Sequence, residues 1–207
     1  MDPDPLRMYL VIRRGAFEGL APAGELAGAA AVRCVRDFDG DVALEQWRPR
    51  PGKVVLRARG GQWDDVLAEP HALAGDPQGE AVIALPPRRR SERGALLERM
   101  QAMTSVLSPA PAGSDSAAGA VTYLVNPGFE MSSGKTLAQI AHAAVMAADS
   151  GSLEDWVGAG CPGRVLLPSP EQFEAHCRSP ALAARVEDAG LTEVPPGTVT
   201  VLALPPG

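Results

Sequence analysis

No apolar run in this chain approaches the roughly 20 residues that a membrane-spanning helix needs, so no membrane partner is expected. Cysteine is scarce and unpatterned. Cys34, Cys161 and Cys177 are odd in number and show no CxxC spacing, which argues against a disulfide framework and for reduced thiols in a cytoplasmic protein. The opening Met1-Asp2-Pro3-Asp4-Pro5 is acidic and proline-rich, unlike a signal peptide. Zinc and calcium ligand spacings are missing too, so neither a metal nor a cofactor is expected. Aromatics are only 4% of the residues, and the core has to be built from Ala, Val and Leu. Lysine occurs twice, as Lys53 and Lys135, against 17 arginines. The net charge of −6 excludes a broad electropositive surface for nucleic acid, though not a local patch. The one dense basic run is Arg88-Arg89-Arg90 with Arg93.

What is present is a repeat. Tyr9-Leu10-Val11 matches Tyr123-Leu124-Val125, and Phe17-Glu18 matches Phe129-Glu130. Small-residue helical stretches follow, ending at Ala30-Ala31-Val32 and Ala143-Ala144-Val145. Then come Trp47 and Trp156, Pro51-Gly52 and Pro162-Gly163, and closing strings at 82–87 and 201–206 that both end Ala-Leu-Pro-Pro. The order is kept throughout, which reads as a tandem duplication in 207 residues. Each copy alternates strand and helix patterns, β, α, β, α, β. The expected fold is therefore α/β: two similar layer domains, each a small mixed sheet of about four strands flanked by helices. The expected domains are 6–87 and 120–207. Between them, 88–119 holds a helix over Ser91–Leu107 with Ser91 as its N-cap, then a linker from Ser108 to Gly119 that is flexible by composition.

The copies differ where chemistry would sit. Lys135, Gln139 and His142 are spaced i, i+4 and i+7, along one helical face. The first copy has no Lys, Gln or His between residues 14 and 38. Leu137, Ile140 and Ala144 would face the core, and Ser132 or Ser133 would cap the helix. A cation in a first helical turn opposes the helix dipole, which marks Lys135 as placed for a reason other than helix stability. Gln139 and His142 read equally as ordinary polar face residues, and Asp188 as a turn-stabilising side chain before Gly190. A P-loop does not fit: five residues separate Gly128 from Gly134, where the motif has four, and no later strand ends in a metal-binding Asp.

Gly134-Lys135-x-x-Ala138-Gln139-x-x-His142-Ala143-Ala144-Val145, followed by Asp188-Ala189-Gly190-x-Thr192-x-x-x-Pro196-Gly197-Thr198-x-Thr200, resembles the type-2 peptidyl-tRNA hydrolases. The resemblance covers residues 120–207; the first half shares only the outline. It implies a four-stranded mixed sheet and cleavage of the ester between a peptide and the 3′ end of tRNA. It also implies that Lys135, Asp188 and Thr200 are catalytic, with Gln139, His142, Thr192, Gly190 and Thr198 binding substrate. The partner would be peptidyl-tRNA or a related acylated tRNA. A family that usually acts as a homodimer of single domains would here form a pseudo-dimer within one chain, which is then free to be monomeric. The chain departs from the family pattern at Leu191, where a basic residue is common, and at Asn126-Pro127-Gly128, where Arg-x-Asp is common. The basic run at Arg88–Arg93 is one possible source of phosphate contacts and reads equally as a solvated helix entry. The alternative function is a non-catalytic tRNA- or protein-binding module that keeps the hydrolase fold, with Lys135 and Asp188 as a buried structural pair.

Overall fold

In the computed structural model, which describes residues 3–110 and 118–207, the first half opens with strand β1 (Arg7–Arg13). Its apolar run is buried on both faces, Met8, Leu10 and Ile12 on one side and Tyr9 and Val11 on the other. A strand placed between two cores belongs at the centre of a sheet. Helix α1 (Leu20–Asp37), α2 (Val42–Trp47), β2 (Gly52–Ala58), α3 (Gln62–Leu67), β3 (Ala72–Gly75) and β4 (Ala81–Arg88) follow. Then α4 (Gly94–Glu98) leads into β5 (Gln101–Ala102), which joins the β2 edge. The second half runs β6 (Val121–Val125), α5 (Ser133–Asp149), α6 (Glu154–Gly158), β7 (Gly163–Leu166), α7 (Pro170–Cys177), β8 (Ala184–Glu187) and β9 (Val199–Leu204).

The sheets have one plan. The first is ordered β3-β4-β1-β2-β5 and the second β8-β9-β6-β7. In each, the first two strands of the half are parallel, and a later pair, β3 with β4 and β8 with β9, is antiparallel. The molecule is thus two similar α/β domains with mixed sheets of five and four strands. The likeness of the two halves extends to side chains. Trp47 Nε1 donates to the Gly52 carbonyl at 2.7 Å, and Trp156 Nε1 donates to the Pro162 carbonyl at 2.8 Å. Each indole closes the turn from a short helix into the second strand of its half. The sequence pattern did not show α2, α6 or β3, which are four to six residues long and too short for periodicity to register.

Helices α1 and α5 lie against one another in a single layer between the two sheets. Helix α1 contacts β3, β4 and β7, while α5 contacts β2, β8 and β9. One apolar cluster therefore spans both halves. Gly24 and Gly28 of α1 make the close approach possible, since a Cβ at Gly24 would lie 2.8 Å from Ile140 Cδ1 and one at Gly28 3.3 Å from the Ala144 Cβ. The composition of this layer, rich in Ala and Gly, follows from that packing. The outer sheet faces carry smaller clusters, around Trp63 and Leu97 in the first half and around Phe173 in the second.

The connection departs from expectation. The helical spacing over Ser91–Leu107 yields only a 3₁₀ turn (Arg90–Glu92) and the five-residue α4. Ser91 is not a helix cap; its hydroxyl bonds Asp4. Leu97 and Met100 drop into the outer core of the first sheet, and the chain turns extended to add β5. Met103 and Ser108 are held by backbone bonds to Val55 and Glu18, both at 2.9 Å. The linker expected from Ser108 onward is therefore fixed at its start, and positions 111–117 lie outside the described residues. The basic run is engaged locally: Arg88 pairs with Glu69, Arg93 with Glu98, and Arg89 donates to the Asp4 carbonyl. Among the described residues no helix is long and apolar enough to cross a membrane.

Candidate active site

Ser132 caps α5, its hydroxyl accepting from the Lys135 N–H at 3.2 Å. This puts Lys135 in the first turn, with Leu137, Ile140 and Ala144 fully buried beneath it. On the other side of the site, β8 ends at Glu187 and the chain turns at Asp188. Gly190 holds φ +73°, and a Cβ there would lie 2.4 Å from the Pro196 nitrogen. Only glycine suits both the left-handed backbone and that contact. The Gly190 N–H reaches back to Asp188 Oδ1 at 2.8 Å. The backbone of Asp188 is tied to Thr198 and Gly197 at 2.9 and 2.8 Å, and the Thr198 hydroxyl donates to the Pro195 carbonyl at 2.7 Å.

These two pieces meet. Lys135 Nζ pairs with Asp188 Oδ2, and Gln139 Nε2 donates to the same oxygen. The side chains of Lys135 and Asp188 are 13% and 8% exposed, so the pair is largely shielded but reachable. Burial by itself would push the Asp188 carboxyl up. The Lys135 ammonium, the Gly190 N–H and the Gln139 amide outweigh it and hold the carboxyl below its ordinary range. The carboxylate also answers the opposed helix dipole at Lys135.

The remaining expected residues are placed differently. His142 lies two turns beyond Lys135 on the same helix. Burial, reinforced by the charge of Lys53 and opposed by Asp188, pushes its imidazole down to about 3, so it is neutral at physiological pH. Thr200 is fully buried in β9, and its hydroxyl faces the Val186 carbonyl at 3.4 Å, not the Lys135–Asp188 pair. Thr192 is exposed in the turn, and Leu191 beside it is 61% exposed. Gly190 and Thr198 shape the Asp188 loop through backbone geometry. Among the described residues no cluster of His, Cys, Asp and Glu could hold a metal ion.

Three participants were not read from the sequence. Glu193 accepts from both the N–H and the hydroxyl of Ser132, at 2.7 and 2.8 Å, and so fastens the Asp188 loop to the start of α5. The extended segment Met103–Leu107 crosses that same helix start. Ser133 donates to the Ser105 carbonyl at 3.3 Å, and Leu107 donates to the Ser133 hydroxyl at 2.8 Å. Third, Lys53 of β2 reaches the region of His142. Its rarity in the composition was the available signal.

The crossing segment explains Gly134. A Cβ at that position would lie 2.0 Å from the Met103 carbonyl oxygen. Alanine ordinarily favours a helix by up to about 1 kcal/mol over glycine, but this approach has to be relieved by moving backbone. Gly134→Ala is expected to destabilise the chain by about 1–3 kcal/mol, measured by urea unfolding. A stabilised variant would contradict the packing.

The family described as peptidyl-tRNA hydrolase PTH2 matches this chain over residues 120–207. The chain is similar to the peptidyl-tRNA hydrolase of Thermococcus sibiricus, 36% identical over 95 residues, covering 41% of this chain and 80% of that protein. The corresponding values for the peptidyl-tRNA hydrolase of Thermococcus onnurineus are 34% over 94 residues, 40% and 80%. For that of Sulfolobus acidocaldarius they are 33% over 103 residues, 42% and 86%. No solved structure matches the chain.

Proposed function

The chain belongs to the PTH2 family of peptidyl-tRNA hydrolases through residues 120–207, and from that premise we propose that it hydrolyses the ester bond of peptidyl-tRNA, releasing peptide and tRNA. The observation that carries this reading is the bonded set Lys135–Asp188–Gln139 at the start of α5, in the half that matches the family. Ester hydrolysis needs a water made nucleophilic and a cation or donor where negative charge develops. Asp188 is ionised throughout the neutral range. Its Oδ2 already accepts two bonds, whereas among the described residues Oδ1 accepts only from the Gly190 N–H and keeps an acceptor position.

In this mechanism a water gives its proton to Asp188 Oδ1 as its oxygen adds to the ester carbonyl. Lys135 Nζ, aimed by Asp188 and donating its remaining protons outward, stabilises the oxyanion. Collapse of the intermediate breaks the bond between the acyl carbon and the ribose 3′ oxygen. That oxygen takes the proton back from Asp188, and the carboxylate is restored. Neutral His142 and Gln139 line the helix face beside the reacting ester. Thr200, sealed in β9, fits a role in holding the β8–β9 geometry beneath Asp188.

The shared sheet plan, the paired tryptophans and the bare first-half helix support reading 6–87 as a degenerate copy of 120–207. On this reading the α1–α5 layer serves as an internal dimer contact, making the chain a pseudo-dimer. The test is direct. Purified chain mixed with peptidyl-tRNA at low salt should release peptide in multiple turnovers. Binding of the substrate without any turnover would instead support the non-catalytic module.

A further inference from the structure

The proposed substrate is a polyanion, yet the second half, which carries Lys135 and Asp188, is acidic and its basic residues are few. The first half holds what is missing. Arg13 and Arg14 stand at the carboxyl end of β1 and Arg57 near the carboxyl end of the parallel strand β2. Together with Ser105 they line a cavity of about 240 Å³. Ligands of open α/β sheets bind outside the carboxyl ends of parallel strands.

None of the three arginines has a carboxylate partner among the described residues. Arg13 donates only to the backbone carbonyls of Gln78 and Gly79, at 2.8 and 3.4 Å, which leaves its charge uncompensated. Arg57 reaches the Ser105 hydroxyl at 3.4 Å, and its Nε is buried with no acceptor among the described residues. A buried guanidinium donor without an acceptor is costly unless something supplies one. Arg14 is exposed at the mouth. In a chain of net charge −6, this is an uncompensated cationic pocket.

Its position relates it to the candidate active site. The segment Met103–Leu107 forms one wall of the cavity. The same segment bonds Ser133 and packs on Gly134, immediately before Lys135. One extended stretch of chain thus separates the arginines from the first turn of α5. We propose that Arg13, Arg14 and Arg57 bind a backbone phosphate of the tRNA strand whose 3′ ester lies at Lys135 and Asp188. The first half then supplies substrate affinity while the second supplies chemistry. This inference rests on the hydrolase reading for the identity of its ligand.

The test measures equilibrium binding of deacylated tRNA to the full chain at several salt concentrations. Arg14→Glu/Arg57→Gln is compared with wild type and with Arg50→Glu, an exposed charge reversal outside the pocket. The pocket variant should bind roughly tenfold more weakly or worse, and its salt slope should fall by about 1. The Arg50→Glu control should bind as wild type. Arg14→Ala, at an exposed position, serves if the double variant does not fold, with a smaller loss in the same direction. Unchanged tRNA affinity in the pocket variants, or an equal loss in the control, overturns the proposal. So does arginine-dependent binding of inorganic phosphate without any change in tRNA affinity, which would mark a free-anion site. Peptide release is followed in parallel. Arginine-dependent tRNA binding without turnover supports the pocket and sinks the hydrolase. Turnover with arginine-independent binding sinks the pocket and leaves the hydrolase standing.

Discussion

Alanine at position 135 is expected to lower peptide release by about a hundredfold to a thousandfold, the scale of removing a preorganised donor from a developing oxyanion. Lys135→Arg should fail to restore the rate. A guanidinium is a planar fork, and it cannot reproduce a compact ammonium that bonds Asp188 on one side and the ester on the other. Stability should fall as well, by about 2 kcal/mol, because truncation strands a shielded carboxylate. The Gly190 and Gln139 donors remain to limit that loss. Both effects are read on one preparation, by single-turnover release of labelled peptide and by urea unfolding.

The double variant Lys135→Met/Asp188→Asn separates catalysis from support. Removing both charges should recover most of the lost stability, since it leaves no unpaired buried charge and the Asn oxygen can still accept from the Gly190 N–H. It should recover none of the rate. If turnover returned with stability, or if Lys135→Ala kept full activity, the pair would be a structural tie between α5 and the β8 loop and nothing more. The pH dependence has a definite sign. Asp188 is depressed in the fold, so its contribution to stability is complete above the unfolded carboxylate value of about 3.9. It is lost as pH falls through the lower folded value.

The architecture was legible because its evidence is redundant. Tyr, Trp, Pro-Gly and Leu-Pro-Pro recur in order: Trp47 and Trp156 close equivalent turns, and Tyr9 and Tyr123 sit on equivalent central strands, though Tyr9 faces the outer core and Tyr123 the core between the sheets. Lys135, Gln139 and Asp188 were legible as a set because helical spacing places the first two on one face and a glycine turn presents the third. Thr200 was read as reactive from its motif, yet its hydroxyl is buried against Val186, since a side chain's direction in a strand depends on a register that one sequence does not display. The Ser91–Leu107 helix misled for a related reason. Its apolar spacing serves a short helix, whose Leu97 packs with Met100 in the outer core of the first sheet, and then an extended segment, whose Met103 and Leu107 join the core between the sheets. What one sequence does not display is contact between the halves: Met103 over Gly134, and Lys53 in the field of His142.

Lys53→Met is expected to stabilise the chain by about 3 kcal/mol at pH 6. The Lys53 ammonium is buried without a hydrogen-bond acceptor among the described residues, and it lies over the Trp47 ring, 4.6 Å from the ring centroid. Burial pushes its pKa down to about 7, with Asp149 opposing. The unfolded chain holds this proton up to about pH 10.4. The folded chain surrenders it near 7, so the unfolded state carries the greater proton load between those values and wild-type stability rises with pH there. Below pH 7 the whole penalty is present, a shift of three to four units or about 4–5 kcal/mol. The lost contact with Trp47 subtracts about 1–2 kcal/mol, and a methionine fills the same volume against the indole. The gain should therefore shrink steadily from pH 7 toward pH 10. Urea unfolding of both chains across that range reads it, and a gain that ignored pH, or a loss at pH 6, would refute the buried-charge account. The same substitution carries a second readout. The charge of Lys53 adds to burial in keeping His142 neutral, so removing it should raise the His142 pKa from about 3, measured by NMR titration, though burial keeps it below the ordinary histidine value. A His142 that did not move would place Lys53 outside the field of the α5 face and confine its effect to stability.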